Sequence, residues 1–199
     1  ELQSFVDQGN FKAVKMRVGS GDGTLAHSVA RVKAAREGLA DDIDIMCDAH
    51  GTFSVSEAKR FCREVAESNI GWLEEPVVAD DKRGMAEVRA STDIPISTGE
   101  SEFTRFAFRD LAELRACDIF QPDLSICGGV TEAMRIEAIA SAFQLRYAPH
   151  LWGGALTFAA GLHTMVVAST GFIVEYSLGA NPMLHELGIE DFAVVDGHL

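Results

Sequence analysis

The chain has 199 residues, of which 47% are hydrophobic and 24% charged, and its formal net charge is −13. This apolar fraction is sufficient for a folded core and argues against a disordered chain. The acidic balance argues against nucleic acid or an anionic membrane as a partner, because either would require a basic face. No stretch reaches the roughly 18 consecutive apolar residues of a membrane span. The first residues, ELQSFVDQGNFK, have neither the basic start nor the apolar core of a secretion signal, so secretion is not expected. The four cysteines lack C-x-x-C spacing, which favours reduced core thiols and a cytoplasmic protein.

Short β-rich runs alternate along the chain with longer segments of helical period. Strands are predicted at Phe11–Val18, Ile43–Cys47, Trp72–Leu73, Ile94–Ser97, Asp118–Phe120, Leu145–Ala148 and Phe172–Val174. Helices are predicted after an N-cap at Thr24, after a capping box at Ser54 and Glu57, and near 83–91, 104–115, 129–143 and 155–168. This alternation predicts βαβ units and a parallel sheet.

An ionisable residue follows each predicted strand from the second to the seventh. These residues are spaced 23 to 27 positions apart and are Asp48, Glu74, Glu100, Asp123, His150 and Glu175. A TIM-type barrel brings all its strand C-termini to one mouth, whereas an open sheet sets them in a line, so the spacing favours the barrel. The segment G-S-G-D-G from Gly19 to Gly23 lacks the spacing of a dinucleotide-binding loop.

The first three of these residues are carboxylates at the ends of three consecutive strands. Parallel strands lie about 4.8 Å apart, so Asp48, Glu74 and Glu100 could reach one cation. An all-oxygen ligand set suits Mg²⁺ better than Zn²⁺. For any single one of them, the alternative is a solvated loop acid.

Two cations share one face of the first predicted strand. Lys15 and Arg17 are two residues apart, while Val14, Met16 and Val18 occupy the other face. Cations that face inward beside carboxylates are costly unless they serve a function. The alternative is a polar inner rim or an inverted register.

Two histidines are candidates for acid–base chemistry. His50 is two residues from Asp48 and should face the same mouth. His150 follows the sixth strand, next to the strand that ends at Asp123, and a carboxylate there could orient its imidazole as a general base. Each histidine taken alone could instead be a structural hydrogen-bonding group.

The ordered series of motifs from Phe11 to about Gly179 resembles the enolase superfamily, in its mandelate racemase/muconate lactonising branch. The motifs are AVKMRVG, DAHG, WLEEP, STGE, QPDLSICGGVTE, APHLWG and FIVEYS. The resemblance implies an α/β fold, a TIM-like barrel of the modified (β/α)7β type. It is expected to be incomplete, without the first strand and the C-terminal segment. Residues 1–199 are then a single truncated catalytic barrel domain, and the N-terminal capping domain of the family is absent.

The resemblance also implies site roles, residue by residue. Asp48, Glu74 and Glu100 look like the Mg²⁺ ligands of the family. Asp123 and His150 resemble its Asp–His dyad.

The remaining positions distinguish among the reactions of the superfamily. Lys15 and Arg17 occupy the K-x-K/R positions, and Glu175 resembles a protonated carboxyl group that hydrogen-bonds the enolate oxygen. Arg17 replaces a second lysine base of the racemases, and a guanidinium is effectively never deprotonated in proteins, so Arg17 should bind a substrate carboxylate. The D-x-H arrangement that ends at His50 is similar to that of acid-sugar dehydratases, where the histidine can protonate a departing hydroxyl.

The predicted function is therefore that of a Mg²⁺-dependent lyase. It would remove the proton α to a carboxylate and eliminate water from a sugar acid, a small anionic substrate, to give a 2-keto-3-deoxy acid. Two alternatives remain: a racemase or epimerase of an α-hydroxy or amino acid, and an inactive metal-binding barrel fragment. We also expect a homo-oligomer, and either a partner surface over the open sheet edge or a longer natural protein.

Overall fold

The chain folds into two compact α/β units in the computed structural model, which describes residues 1–188 and 192–199. The first unit comprises Glu1–Ile96 together with Ala193–Leu199, and the second comprises Ser97–Phe192. Strands and helices alternate in both, as the sequence predicts. Among the described residues, no helix has the length and apolarity that a membrane crossing requires.

The first unit contains a parallel ladder of three strands. Its elements in chain order are α1 Leu2–Gly9, β1 Ala13–Arg17, α2 Leu25–Gly38, β2 Asp44–Asp48, α3 Val55–Glu64, β3 Ile70–Glu74 and α4 Lys82–Arg89. β1 pairs with β2, and β2 pairs with β3. The register places Arg17 opposite Asp48 and Asp48 opposite Glu74, so the three strands end level with one another.

The second unit repeats this arrangement with shorter strands. Its elements are β4 Ile96–Thr98, whose first residue is counted with the first unit, and then α5 Thr104–Glu113, β5 Ile119–Phe120, α6 Gly129–Ala142, β6 Arg146–Tyr147, α7 Ala155–Val167 and α8 Pro182–His185. β4 pairs in parallel with β5, and β5 with β6. An isolated parallel bridge joins Asp123 to His150 beyond the ends of β5 and β6.

The starts of α2 and α3 confirm the N-cap and the capping box that the sequence predicts. The Thr24 side chain accepts a hydrogen bond from the backbone of His27 at 3.2 Å. At α3, Ser54 Oγ accepts from Glu57 N at 3.3 Å, and Glu57 Oε2 accepts from Ser54 N at 2.9 Å. These bonds satisfy amide groups that have no partner within the helix, and they fix where α2 and α3 begin.

The prediction of a seventh strand at Phe172–Val174 is wrong, because these residues form no strand in the structure. Only the preceding residue, Gly171, forms a bridge, to Tyr147. Two of its apolar residues have other side-chain contacts: Val174 packs against the buried cluster of Leu151, Phe158 and Leu184, and the ring of Phe172 lies against the guanidinium of Arg146. Hydrophobic burial thus produces a strand-like sequence here without a ladder of backbone hydrogen bonds.

All four cysteines are buried thiols, which agrees with the prediction of core residues. Burial raises the pKa of Cys62 and of Cys127 to about 11. Thiols with such values are almost wholly protonated at neutral pH and are poor nucleophiles.

Candidate active site

The end of β3 carries a buried carboxylate that a lysine neutralises. Glu74 is 1% exposed, and Lys15 Nζ lies 2.9 and 2.8 Å from its two carboxylate oxygens. Trp72 Nε1 donates to Glu74 Oε2 at 3.1 Å. A buried carboxylate is costly without such partners, so Lys15 and Trp72 together hold Glu74 in place.

The end of β2 carries a second buried carboxylate with its own cation. Asp48 is 6% exposed, and Arg17 Nη1 lies 3.3 Å from its Oδ2. Asp48 Oδ1 also accepts a hydrogen bond from the backbone of His50 at 2.8 Å. Arg17 and Lys15 therefore both reach carboxylates on neighbouring strands, and they share the face of β1 that their spacing predicts.

His50 lies in a loop where strand geometry has ended. Its φ of 48° is in the left-handed region, which L-residues seldom adopt, and its side chain is exposed. The alternation of an extended chain stops at Asp48, so the two-residue spacing no longer determines where His50 points. Gly51 donates its N–H to the carbonyl of Glu75 at 2.7 Å, which ties this loop to the end of β3.

In the second unit, Asp123 and His150 form a hydrogen-bonded pair. His150 Nδ1 lies 2.9 Å from Asp123 Oδ2, and Asp123 is 3% exposed. Asp123 Oδ1 accepts further bonds from the backbone N–H, at 2.7 Å, and the hydroxyl of Ser125. Burial opposes ionisation of this carboxyl group, but the bonds from His150 and Ser125 outweigh it and hold the pKa of Asp123 below its ordinary value.

An ionised Asp123 determines the tautomer of His150. A carboxylate only accepts hydrogen bonds, so Nδ1 must carry the proton that it donates to Asp123. In neutral His150, the lone pair is then on Nε2. That atom lies 3.3 Å from Oε2 of Glu100, which follows β4. Once His150 has taken up a proton, Nε2 can donate to Glu100, and the imidazolium then lies between two carboxylates of the same unit.

The position of Glu100 depends on the glycine before it. Gly99 has a φ of 137°, and a Cβ atom at this position would lie 2.7 Å from the ring of Phe108. Both the backbone conformation and the close approach of α5 therefore require glycine here.

Glu175 is half-buried in the segment that follows the Gly171 bridge. Val174 and Tyr176, its two neighbours, pack on the cluster of Leu151, Phe158 and Leu184. The segment is thereby fastened beside the loop after His150.

Sequence reasoning missed two residues that hold the candidate site residues in place. Trp72 precedes Glu74 by two positions on β3, and Ser125 follows Asp123 by two. The first spacing could have indicated a shared strand face, whereas the second is a side-chain turn motif that is common for aspartate.

Each unit therefore offers a distinct chemical capability. The first presents two buried carboxylate groups with two cations, which can bind a hard cation and an anionic ligand. The second presents an imidazole oriented by a carboxylate, which can act as a general base.

Comparison with known proteins gives one family for the whole chain. Residues 1–199 match the family model of enolase C-terminal domain-like proteins. A D-galactonate dehydratase of Xanthomonas oryzae pv. oryzae is 34% identical over 178 residues, which cover 86% of this chain and 47% of that enzyme. The chain therefore spans about half the length of the curated relatives that it matches.

Solved structures agree with this family. An enolase from Bradyrhizobium, complexed with magnesium and mandelic acid, matches 98% of this chain and 51% of its own, with a TM-score of 0.86 and 29% identity. The 3,6-anhydro-D-galactonate cycloisomerase of Zobellia galactanivorans matches 94% of this chain and 54% of its own, with a TM-score of 0.85 and 29% identity.

Proposed function

The chain belongs to the enolase C-terminal domain-like family, and from this premise we propose that it carries the catalytic residues of a Mg²⁺-dependent acid-sugar dehydratase. The observation that carries the proposal is the position of His150, whose Nδ1 contacts Asp123 and whose Nε2 faces Glu100. This arrangement supports a base placed beside a candidate metal ligand.

The donor set fits Mg²⁺. Asp48, Glu74 and Glu100 supply only carboxylate oxygens, the ligand type that this ion prefers. Asp48 and Glu74 are buried and level on adjacent strands. Mg²⁺, when bound, would supply positive charge against the negative charge that develops on the substrate carboxylate.

His150 would remove the α-proton of the substrate. Asp123 fixes the imidazole with Nδ1 protonated, which leaves the Nε2 lone pair to accept that proton. Because Nε2 faces Glu100, a hydroxy acid held at the carboxylates would present its α-carbon on the side of the base. The positive charge that His150 acquires is balanced by the carboxylate of Asp123.

The other candidate residues would orient the acid and complete the elimination. Arg17 would bind the substrate carboxylate, and Lys15 and Glu175 would stabilise the oxygen that gains charge. After the α C–H bond breaks, its electron pair forms the C2–C3 double bond as the C3–O bond breaks. His50 would donate a proton to the departing hydroxyl, so water leaves. The remaining enol then tautomerises to the 2-keto-3-deoxy acid.

Exchange of the α-proton and loss of water can be separated by substitution. We expect His150→Asn to abolish both solvent deuterium incorporation at the α-carbon and 2-keto acid formation, because the base is lost. His50→Asn should retain exchange and stop elimination. Both are measured with Mg²⁺ and a panel of sugar acids, by proton NMR and a 2-keto acid assay.

His163→Asn is the matched control, since this histidine is exposed on α7 and should leave both rates unchanged. Dehydration that survives in His50→Asn would disprove its assignment as the acid. Exchange that survives in His150→Asn would disprove the proposed base.

Racemisation or epimerisation is the second candidate. The Bradyrhizobium relative was crystallised with mandelic acid, whose C3 carries no hydroxyl that could leave. An enzyme of this type would exchange the α-proton and invert the product without loss of water. Arg17 argues against a two-base version of this reaction, because its guanidinium does not deprotonate.

A further inference from the structure

Glu74 contacts two donors that differ in mobility. Trp72 Nε1 donates to Oε2 at 3.1 Å, and Lys15 Nζ lies 2.9 Å from Oε1 and 2.8 Å from Oε2. Trp72 is 6% exposed and shares a strand face with Glu74, so close packing restricts its indole. Lys15 reaches Glu74 with a flexible side chain that is 20% exposed, so another cation can take its place. Trp72 is therefore the more permanent partner of Oε2.

Asp48 shows the same combination of a fixed and a movable donor. The backbone N–H of His50 donates to Oδ1 at 2.8 Å. This N–H is fixed, because the residues before and after His50 donate their own N–H groups to backbone carbonyls at the end of β3, at 2.9 and 2.7 Å. The movable donor is Arg17, whose side chain is 49% exposed and whose Nη1 lies 3.3 Å from Oδ2. In both carboxylates, a fixed donor thus holds one oxygen while a movable cation contacts the other.

A fixed donor affects how a carboxylate can bind a metal ion. The hydrogen of an N–H group carries partial positive charge, so it repels a cation that approaches the same oxygen. Binding of an ion through both oxygens of Glu74 would therefore require the hydrogen bond from Trp72 to weaken or break. Binding through Oε1 alone requires only that Lys15 moves away. The corresponding oxygen of Asp48 is Oδ2, which Arg17 contacts.

Mg²⁺ and Ca²⁺ respond differently to this restriction. Mg²⁺ is small and requires nearly ideal octahedral geometry, which the narrow angle between the two oxygens of one carboxylate does not provide. Ca²⁺ accepts roughly six to eight oxygens in flexible geometry and often takes both oxygens of a carboxylate. Carboxylates that offer one oxygen each therefore favour Mg²⁺.

We propose that Trp72 is a positioning residue that makes the site select Mg²⁺ over Ca²⁺, because its indole keeps Glu74 as a ligand through one oxygen. The backbone N–H of His50 restricts Asp48 in the same way. The proposal rests on the proposed function, which makes both carboxylates ligands of one ion. Trp72 acts through Glu74 and does not itself touch the ion. Hydrogen-bond partners of metal ligands typically change metal affinity by about 10–100-fold, so the effect should be measurable.

Trp72→Phe is the direct test, because it keeps an aromatic ring and removes the indole N–H. Calorimetric titration of the metal-free protein with Mg²⁺ and with Ca²⁺ gives both dissociation constants without requiring turnover. We expect the wild type to bind Mg²⁺ more tightly, and the ratio of the Ca²⁺ Kd to the Mg²⁺ Kd to fall at least about tenfold in Trp72→Phe. The released Glu74 can then bind Ca²⁺ through both oxygens, whereas Mg²⁺ loses a positioned ligand.

Tyr147→Phe is the matched control. Tyr147 is a buried aromatic residue of β6 whose hydroxyl lies 3.4 Å from Thr164 Oγ1, so this variant also removes a buried polar group. Its ratio of dissociation constants should equal that of the wild type. A wild type that does not prefer Mg²⁺, or a ratio that stays unchanged in Trp72→Phe, would overturn the proposal. Equal loss of affinity for both ions, which leaves the ratio unchanged, is the result expected if Trp72 only stabilises the fold.

Nuclear magnetic resonance tests the hydrogen bond itself and does not require Trp72→Phe to fold. The chain has two tryptophans, so Trp152→Phe, at a position that is 63% exposed, leaves the indole N–H signal of Trp72 alone. We expect this N–H to exchange slowly with deuterated water in the Mg²⁺ complex, because its bond to Glu74 persists. Exchange should be faster when Ca²⁺ saturates the site. Fast exchange in the Mg²⁺ complex, or equal rates with the two ions, would overturn the proposal.

Parallel assays of α-proton exchange and 2-keto acid formation separate this proposal from the proposed function. A ratio that Trp72→Phe lowers, in a protein that turns over no sugar acid, would support the role of Trp72 and contradict the dehydratase. Turnover of a sugar acid with Mg²⁺, together with a ratio that Trp72→Phe does not change, would do the reverse.

Discussion

Asp123 is the residue whose ionisation state has the most consequences for the site. Its pKa lies below the ordinary value, because the hydrogen bonds from His150 and Ser125 outweigh the effect of burial. The folded protein therefore favours the carboxylate over the carboxylic acid. This carboxylate fixes the tautomer of His150, so one group links the stability of the second unit to its proposed chemistry.

Replacement of Asp123 by asparagine should affect both properties. An amide can donate a hydrogen bond to Nδ1, which would move the imidazole proton to Nε2 and remove the base. We expect Asp123→Asn to slow α-proton exchange by at least about 10², the lower range for loss of a positioned general base. Asp110→Asn, on an exposed face of α5, should leave the rate unchanged.

The stability difference between the wild type and Asp123→Asn should depend on pH in a predictable direction. A carboxyl group whose folded pKa is depressed contributes stability above its unfolded pKa of about 3.9, and this contribution is lost as pH falls through the folded pKa. The difference in free energy of unfolding between wild type and Asp123→Asn should therefore shrink as pH falls from about 7 to 3. Urea unfolding across this range measures it, and a constant difference would contradict the assigned pKa shift.

At the scale of single residues, the sequence predicts side chains on strands better than side chains in loops. The spacing of Lys15 and Arg17 correctly predicts a shared face, because both lie inside β1. His50 could not be placed in this way, since its left-handed backbone ends the alternation. The hydrogen bonds of Ser125 to Asp123 depend on a local turn whose geometry the residue types alone do not determine.

At the scale of elements, the turns after the strands limit where site residues can lie. The turn after β4 contains Gly99, whose positive φ and contact with Phe108 exclude a side chain. Glu100 follows directly. The glycine is therefore part of how the strand presents its carboxylate.

Gly99→Ala should destabilise the fold and displace Glu100. A non-glycine residue in such a backbone conformation costs about 1–3 kcal/mol, and displacement of Phe108 adds to this cost. Urea unfolding measures the loss, and calorimetry should show weaker Mg²⁺ binding.

Gly38→Ala provides the comparison for that variant, because Gly38 ends α2 and no atom lies within 4 Å of an added Cβ. Its free energy of unfolding should stay the same or rise by up to about 1 kcal/mol. An equal loss in both variants would show that the conformation of Gly99 has no special role.

Elements were predictable from the sequence where local hydrogen bonds or periodicity define them. The caps at Thr24 and Ser54 set the starts of α2 and α3, and the predicted strands from β1 to β6 all occur, with shifted ends. The strand predicted at Phe172–Val174 does not form, because apolar residues of this stretch serve side-chain packing. Composition cannot distinguish such a packed segment from a strand that pairs in a sheet.

At the scale of the whole molecule, negative charge dominates, with a formal net charge of −13. Asp48 and Glu74 belong to the first unit and Glu100 to the second. The proposed function requires one ion to bind carboxylates of both. Binding to the folded protein alone should then stabilise it.

We expect Mg²⁺ to raise the melting temperature and EDTA to reverse the effect. At a concentration of about one hundred times Kd, the stabilisation should be about 2.7 kcal/mol. Asp48→Asn and Glu100→Gln should each abolish most of the shift, although they change different units. Glu113→Gln, on an exposed position of α5, should preserve it. A shift that only one of the two site variants abolishes would contradict a shared ion.

The contact between Lys15 and Glu74 makes metal and substrate binding thermodynamically coupled in an enzyme of the proposed type. The ammonium group faces both oxygens of Glu74, so it competes with any other cation for that carboxylate. A metal ion that binds Glu74 would displace the ammonium group of Lys15 from this carboxylate. The carboxylate of an incoming acid would then form a new ion pair with Lys15. Metal binding thus makes acid binding more favourable. By reciprocity, the bound acid raises the affinity for the metal by the same factor. Such a protein binds the metal or the acid weakly when either is present alone, and binds both tightly when they are present together.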